Sequence, residues 1–222
     1  MTKVYCASPS NQLHANMLNE MDVLLSFGSY EPFLKAYVQS FKSILLDSGA
    51  FGAFNSGKTV DIVKYIDWVQ MFPKVDAYAG LDDISGDWRK SLKNYKYGGF
   101  PTIHDSDPPE LLNDLIPMAR ERGGWIGIGL APPRSCKGEF LQRTLERIPN
   151  DLHVHGFALR EYRKSHVFDS VDSTSWFRDS FRVRKNLPWL TPAECLEIIV
   201  KREKRELIMH REEAGQMNLF DN

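Results

Sequence analysis

Cysteine is scarce in this 222-residue chain, and the three present, Cys6, Cys136 and Cys195, are odd in number and far apart. No Cys-x-x-Cys or Cys/His spacing accompanies them, which excludes a disulfide scaffold, argues against a structural zinc and points to a reducing compartment. Equally absent is an apolar run long enough to span a bilayer, so a soluble, cytoplasmic protein with no membrane partner is expected. Charge of one sign is not in excess either. Lys and Arg number 28 against 29 Asp and Glu, a formal net charge of −1, so no global basic field announces nucleic acid, although a local patch remains compatible with that balance. There is no low-complexity segment and no internal repeat beyond an alternation of strand-like and helix-like segments.

What is present is 42% hydrophobic content, enough for one sizeable core and too little chain for two comfortable domains. Short apolar runs ending in small or acidic residues alternate with segments of helical period. The runs are Lys3 to Ala7, Val23 to Phe27, Ile44 to Leu46, Ala77 to Leu81, Phe100 to Ile103, Trp125 to Leu130, Leu152 to Leu159 and Val167 to Val171. About eight βα units predict an α/β fold, a compact (β/α)8 barrel of the TIM type; seven units in an open doubly wound sheet are the alternative. The barrel is expected over residues 1–190. A C-terminal helix and tail over 191–222 would dock on it, with Ala193 to Glu213 helical through Leu196, Ile199, Val200 and Leu207, and Gln216 to Asn222 frayed. Arg178 to Leu187 reads as basic and irregular.

The chemistry gathers where the runs end. Ile44-Leu45-Leu46 closes on Asp47-Ser48-Gly49-Ala50-Phe51, the fourth run on Asp82-Asp83, the fifth on His104-Asp105, the sixth on Gly129-Leu130-Ala131 and the eighth on Asp172. In a barrel these strand ends converge on one face. Buried like charges repel and raise one another's pKa, so a ring of carboxylates there has few structural reasons to exist. Two separated carboxylates can act as nucleophile and as general acid/base on a glycosidic bond. His153 and His155, on alternate residues of one strand, share a face without an evident third ligand, and they read as core or site-lining groups; no metal and no cofactor is expected.

Five of these segments carry a resemblance. Asp47-Ser48-Gly49-Ala50-Phe51, Leu81-Asp82-Asp83, Ile126 to Ala131, His155-Gly156-Phe157-Ala158 and Phe168 to Trp176 are similar, in order and spacing, to motifs of the tRNA-guanine transglycosylase superfamily. The chain lacks that family's Cys/His zinc subdomain and looks more like its short DNA-acting branch. The resemblance implies a glycosyltransferase or glycosylase acting on DNA bases in a bacterial or phage-infected cell. In it Asp172 attacks C1′, with Asp169 as the alternative nucleophile, and Asp47 moves protons on the base. Asp82, His104, Gly129, Leu130, Ala131, Ser48, Gly49 and Phe51 would line the base pocket, and Arg178, Arg182, Arg184 and Lys185 would meet phosphates. The implied partners are DNA, single-stranded or with a base flipped out, and a free 7-deazaguanine-type base taken up in exchange. Excision to an abasic site is the alternative outcome, and the oligomeric state stays open.

One motif points elsewhere. Gly52-Ala53-Phe54-Asn55-Ser56-Gly57-Lys58-Thr59 matches the phosphate-binding P-loop pattern and would make the chain a nucleotide hydrolase. Five residues separate its first glycine from the apolar run, whereas a P-loop begins directly at a strand end.

Overall fold

The structure, a computed structural model, describes residues 2–130, 137–159 and 167–202. Its strands are β1 (Lys3–Ala7), β2 (Asp22–Ser26), β3 (Ser43–Asp47), β4 (Ala77–Tyr78), β5 (Thr102–His104), β6 (Trp125–Gly129), β7 (His153–Gly156) and β8 (Ser170–Ser173). All their pairings are parallel, in the order β4-β3-β2-β1-β8-β7-β6-β5. The two ends of that order meet through a parallel bridge between Ala79 and Phe100. The Phe100 N–H donates to Tyr78 O at 2.9 Å and the Gly80 N–H to Phe100 O at 2.8 Å. The eight strands therefore close into a (β/α)8 barrel.

The two-residue period of a strand divides its side chains between the outer wall and the lumen. Outward-facing Val23, Leu25, Ile44 and Leu46 pack with helix residues such as Tyr65, Trp68 and Trp176. Ile103, Ile126, Ile128 and Val171 do the same against Leu112, Leu115 and Leu141. The inward set is different. Tyr5, Ala7, Leu24, Leu45, Ala79 and Phe100 form a separate apolar cluster in the barrel's middle. Below it, at the amino ends of the strands, Lys3 pairs with Asp76, the Tyr5 hydroxyl donates to Asp76, and the Ser43 hydroxyl donates to Asp22 at 2.6 Å. Asp22 also lies 3.5 Å from Lys3 and 3.6 Å from Lys42, so this buried carboxylate is compensated from three sides. A polar layer thus lines the bottom of the lumen, with Lys3 and Asp76 still partly exposed.

Helices α1 (Gln12–Met17), α2 (Ala50–Asn55), α3 (Ile62–Val69), α4 (Trp88–Tyr95), α5 (Leu112–Glu121) and α6 (Lys137–Leu145) follow their strands. The segment Pro32–Ser40 between β2 and β3 is a 3-10 helix rather than an α-helix. Helix α3 starts where Asp61 accepts the N–H groups of Val63 and Lys64. The basic stretch expected to be irregular is helix α7 (Ser175–Asn186). Trp176, Ser180 and Val183 supply a helical period that packs inward, with Trp176 2% exposed and its indole N–H donating to Ala7 O at 3.1 Å. The intervening arginines conceal that period in the sequence. A last helix, α8 (192–202), opens on a capping box between Thr191 and Glu194. It buries Cys195, Leu196, Ile199 and Val200. Leu207 and the tail lie outside the described residues.

Barrel closure depends on backbone contact that only glycine allows. Gly99 has φ +79°, and a Cβ there would lie 2.5 Å from Gly80 N. Gly99→Ala should therefore prise apart the closing bridge and cost about 2 kcal/mol or more, the left-handed backbone alone accounting for 1–2 of it. Urea denaturation of the purified variant measures this, and an unchanged midpoint would show that the Ala79–Phe100 closure contributes nothing to stability.

Candidate active site

At the carboxyl ends of the strands the barrel opens into a cleft of about 920 Å³, a size suited to a small organic molecule. Its wall includes Ser26 from β2, Asp47 from β3, Asp82 beyond β4, His104 from β5, Gly129 from β6 and Asp172 from β8. Asp47, Asp82, His104 and Asp172, expected together from the strand ends, are thus brought to one cleft. Gly49, Phe51, Leu130 and Arg178 join them.

Asp47 sits beside Ser26 on the neighbouring strand, the two residues being register partners. The Gly49 N–H donates to Asp47 Oδ2 at 3.0 Å. Burial, with the nearby charges of Asp82 and Asp172 adding to it, pushes the carboxyl up to about 6, against the opposing hydrogen bonds from Ser26 and Gly49. Near neutrality this group can hold or release a proton.

His104 is gripped rather than free. Its Nε2 lies 3.0 Å from Asp82 Oδ2 and its Nδ1 3.6 Å from Asp107 Oδ2, while its backbone N–H donates to the same Asp107 oxygen at 2.8 Å. Burial works against the ring's charge, but hydrogen bonds and attraction from Asp107 and Asp82 outweigh it and hold the imidazolium up to about 10. Both ring nitrogens face carboxylates, so within the cleft wall His104 holds Asp82 in place. Gly129 makes the room: a Cβ there would approach the His104 ring to 2.8 Å.

Asp172 Oδ1 accepts the N–H of Ala158 at 2.8 Å and lies 3.5 Å from His155 Nε2. Ala158 has φ 54° and Ser8 φ 58°, and both line the cleft. Two non-glycine residues held in the left-handed region on one cleft wall are the kind of strain that collects at functional sites.

Other expected site residues lie elsewhere. Asp169 precedes β8 at its entry end, where its Oδ2 accepts the Val154 N–H at 2.7 Å; it is not on the cleft wall. Ser48 is buried and its hydroxyl accepts the Ala50 N–H. Asp83 turns to Ser85 and Lys90. Ala131 falls outside the described residues. Of the four basic residues on α7, Arg178 alone lines the mouth, and Arg182 pairs with Asp179 at 3.2 Å. The P-loop reading fails on geometry: Gly52 to Asn55 lie inside α2, and the Ala53 N–H is used by Gly49 O, so these amides cannot wrap a phosphate. Lys58, Thr59 and Lys64 nevertheless line the mouth. Ser26 and Asp107 were not anticipated. Ser26 follows Val23-Leu24-Leu25 as Asp47 follows Ile44-Leu45-Leu46, and His104-x-x-Asp107 is a short spacing that could have signalled a pair.

Comparison with known proteins follows the fold and departs from the resemblance. No family model and no curated protein matches the chain. Among solved structures, two substituted forms of the tryptophan synthase alpha-subunit from the hyperthermophile Pyrococcus furiosus match with TM-scores of 0.54 and 0.53, each at 13% identity over 90% of this chain and 98% of theirs. The shared property is the barrel. The likeness to the tRNA-guanine transglycosylase superfamily is therefore withdrawn, because no family model and no curated protein supports it and these structural neighbours are tryptophan synthase alpha-subunits. Base exchange on DNA, its base-excising alternative and the nucleotide hydrolase go with it. Among the described residues no helix is long and apolar enough to cross a membrane, and no cluster of three metal-binding side chains occurs.

Two stability measurements test the electrostatics. Raised above its unfolded value of 3.8, the Asp47 pKa makes the native state favoured at low pH and penalised as pH rises through about 6. Asp47→Asn should thus gain stability relative to wild type between pH 4 and 8, by up to about 3 kcal/mol. His104 is also raised, so its contribution is complete below 6.5 and lost as pH climbs through about 10. His104→Gln should cost about 3–5 kcal/mol at pH 7 by leaving Asp82 and Asp107 uncompensated, and Gly129→Ala should lose part of the same stability. Chemical denaturation across pH decides both; a pH-independent difference for either variant would remove the assigned charges.

Proposed function

We propose that the chain is an enzyme that moves protons on a small polar molecule bound in the barrel mouth, with Asp47 as the general acid/base. The observation that carries this reading is the position of Asp47: a carboxyl with its pKa pushed to about 6, at a strand's carboxyl end, on the wall of a cleft of about 920 Å³. A proton carrier works best with a pKa near the working pH. Asp82, held in place by His104, offers a fixed acceptor for a substrate N–H or O–H, and Asp172 closes the opposite side.

The mouth suggests the substrate's charge. Lys58, Lys64 and Arg178 stand on the wall. Lys64 approaches Asp61 at 3.9 Å, and among the described residues neither Lys58 nor Arg178 has an ion-pair partner. A substrate with an anionic group at its outer end and hydrogen-bonding groups at its inner end fits this division. The structural neighbours are subunits of a synthase, which supports an enzymatic reading of the barrel, and at 13% identity nothing finer is carried over.

Solvent proton exchange tests the proposal without a known product. Wild-type protein in D2O with a panel of small phosphorylated and carboxylated carbonyl compounds should wash deuterium into at least one, as seen by proton NMR. The rate should rise through pH 6 as Asp47 ionises, and Asp47→Asn should lower it about 10²-fold or more. Exchange that proceeds equally in the variant would sink the assignment to Asp47. Binding of a panel member without exchange or turnover would make the cleft a binding site instead.

A further inference from the structure

The lumen contains a second polar line that the roles above leave unused. His155 is fully buried, and among the described residues its Nε2 has no hydrogen-bond partner although it faces Asp172 Oδ1 at 3.5 Å. An unpaired buried ring nitrogen is costly and calls for an explanation. Its other nitrogen, Nδ1, lies 2.8 Å from the Ser170 hydroxyl, and the same oxygen lies 2.7 Å from Nε2 of His153. One hydroxyl therefore bridges two imidazoles, and the line runs from the cleft down the lumen to half-buried His153.

We propose that His153, Ser170 and His155 form a proton relay that loads and orients Asp172 from the barrel's closed end. The protons can be assigned from the donor inventory. With a neutral His155 carrying its proton on Nε2 toward Asp172, Nδ1 must accept from Ser170, whose oxygen then accepts from His153 Nε2–H. Every group along the line then has a proton to give in the direction of Asp172. Transfer balances as one proton in and one out. A solvent proton adds to His153 Nδ1, His153 Nε2–H passes to Ser170 Oγ, and the Ser170 proton passes to His155 Nδ1. The His155 Nε2 proton passes to Asp172, whose new O–H then donates back to the bared Nε2. Reversal returns the proton and resets both rings.

The surroundings suit such a line. Around His155 stand Tyr5, Phe100 and Phe157, with ring centroids 6.0, 6.4 and 4.6 Å away, together with Ser170 and Asp172. This wall keeps bulk water from short-circuiting the path. His153 stacks on Trp125 at 3.6 Å and feels the charges of Asp169, Lys3 and Asp76 as well as His155. Burial pushes its pKa down to about 4, so it rests neutral and can accept at one nitrogen while donating from the other. The relay concerns Asp172 and does not require that Asp47 be the acid/base, so the two can fail separately.

The test reads protons directly on ligand-free protein. Long-range proton–nitrogen NMR on labelled protein should find both His153 and His155 protonated at Nε2. Asp172→Asn should disturb the His155 tautomer and leave the barrel folded. Exchange of the His155 Nε2 proton with water should slow about tenfold or more in Ser170→Ala and in His153→Phe. The phenylalanine keeps the stack on Trp125, so slowed exchange in a folded His153→Phe variant cannot be laid to misfolding. A wild-type His155 protonated only at Nδ1, or exchange rates equal in all variants, would overturn the relay.

Discussion

Closing parallel strands into a ring obliges every strand to show one face to helices and the other to a lumen, and most of this structure depends on that division. Outward residues are free to be uniformly apolar. Inward residues share a narrow space with seven other strands, so polar groups placed there meet partners from across the ring. The bottom of the lumen uses this for stability, with Asp22 and Asp76 compensated by Lys3, Lys42, Tyr5 and Ser43. At the top, on the wall of the cleft, like charges are left facing one another.

The two ends differ in how charge is balanced. At the bottom each buried carboxylate has cationic or hydroxyl partners. At the top, Asp82 and Asp107 share one imidazolium, while Asp47 has Ser26 and the Gly49 amide against its burial and two acidic neighbours. That imbalance raises the pKa of Asp47 and costs folding energy at pH above the carboxyl's ordinary range. Glycine shapes the same end. Gly129 admits the His104 ring, and Gly99 admits the backbone that closes the barrel.

The barrel places its cleft where the strand ends meet, but the meeting does not specify a substrate. The segment Asp47-Ser48-Gly49 ends a buried strand on an acid and turns sharply at Gly49, whose φ is 75°, and a motif this short carries no family by itself. The comparisons bear on the fold alone.

Strand count, helix alternation and the acids at the strand ends were legible in the sequence, because periods of two and of 3.6 residues and abrupt strand endings are local signals. Asp47, Asp82, His104 and Asp172 could be named in advance as neighbours on these grounds. Helix α7 was not legible, since its buried face of Trp176, Ser180 and Val183 is interrupted by arginines. Nor was the grip on His104, the exclusion of Asp169 from the cleft, or the line through Ser170. Each of these depends on which residues of neighbouring strands come into register, as Tyr5 does with Asp172 and His155 with Ser170. Local periodicity says which way a side chain points along its own strand; the stagger of the closed ring decides what it meets.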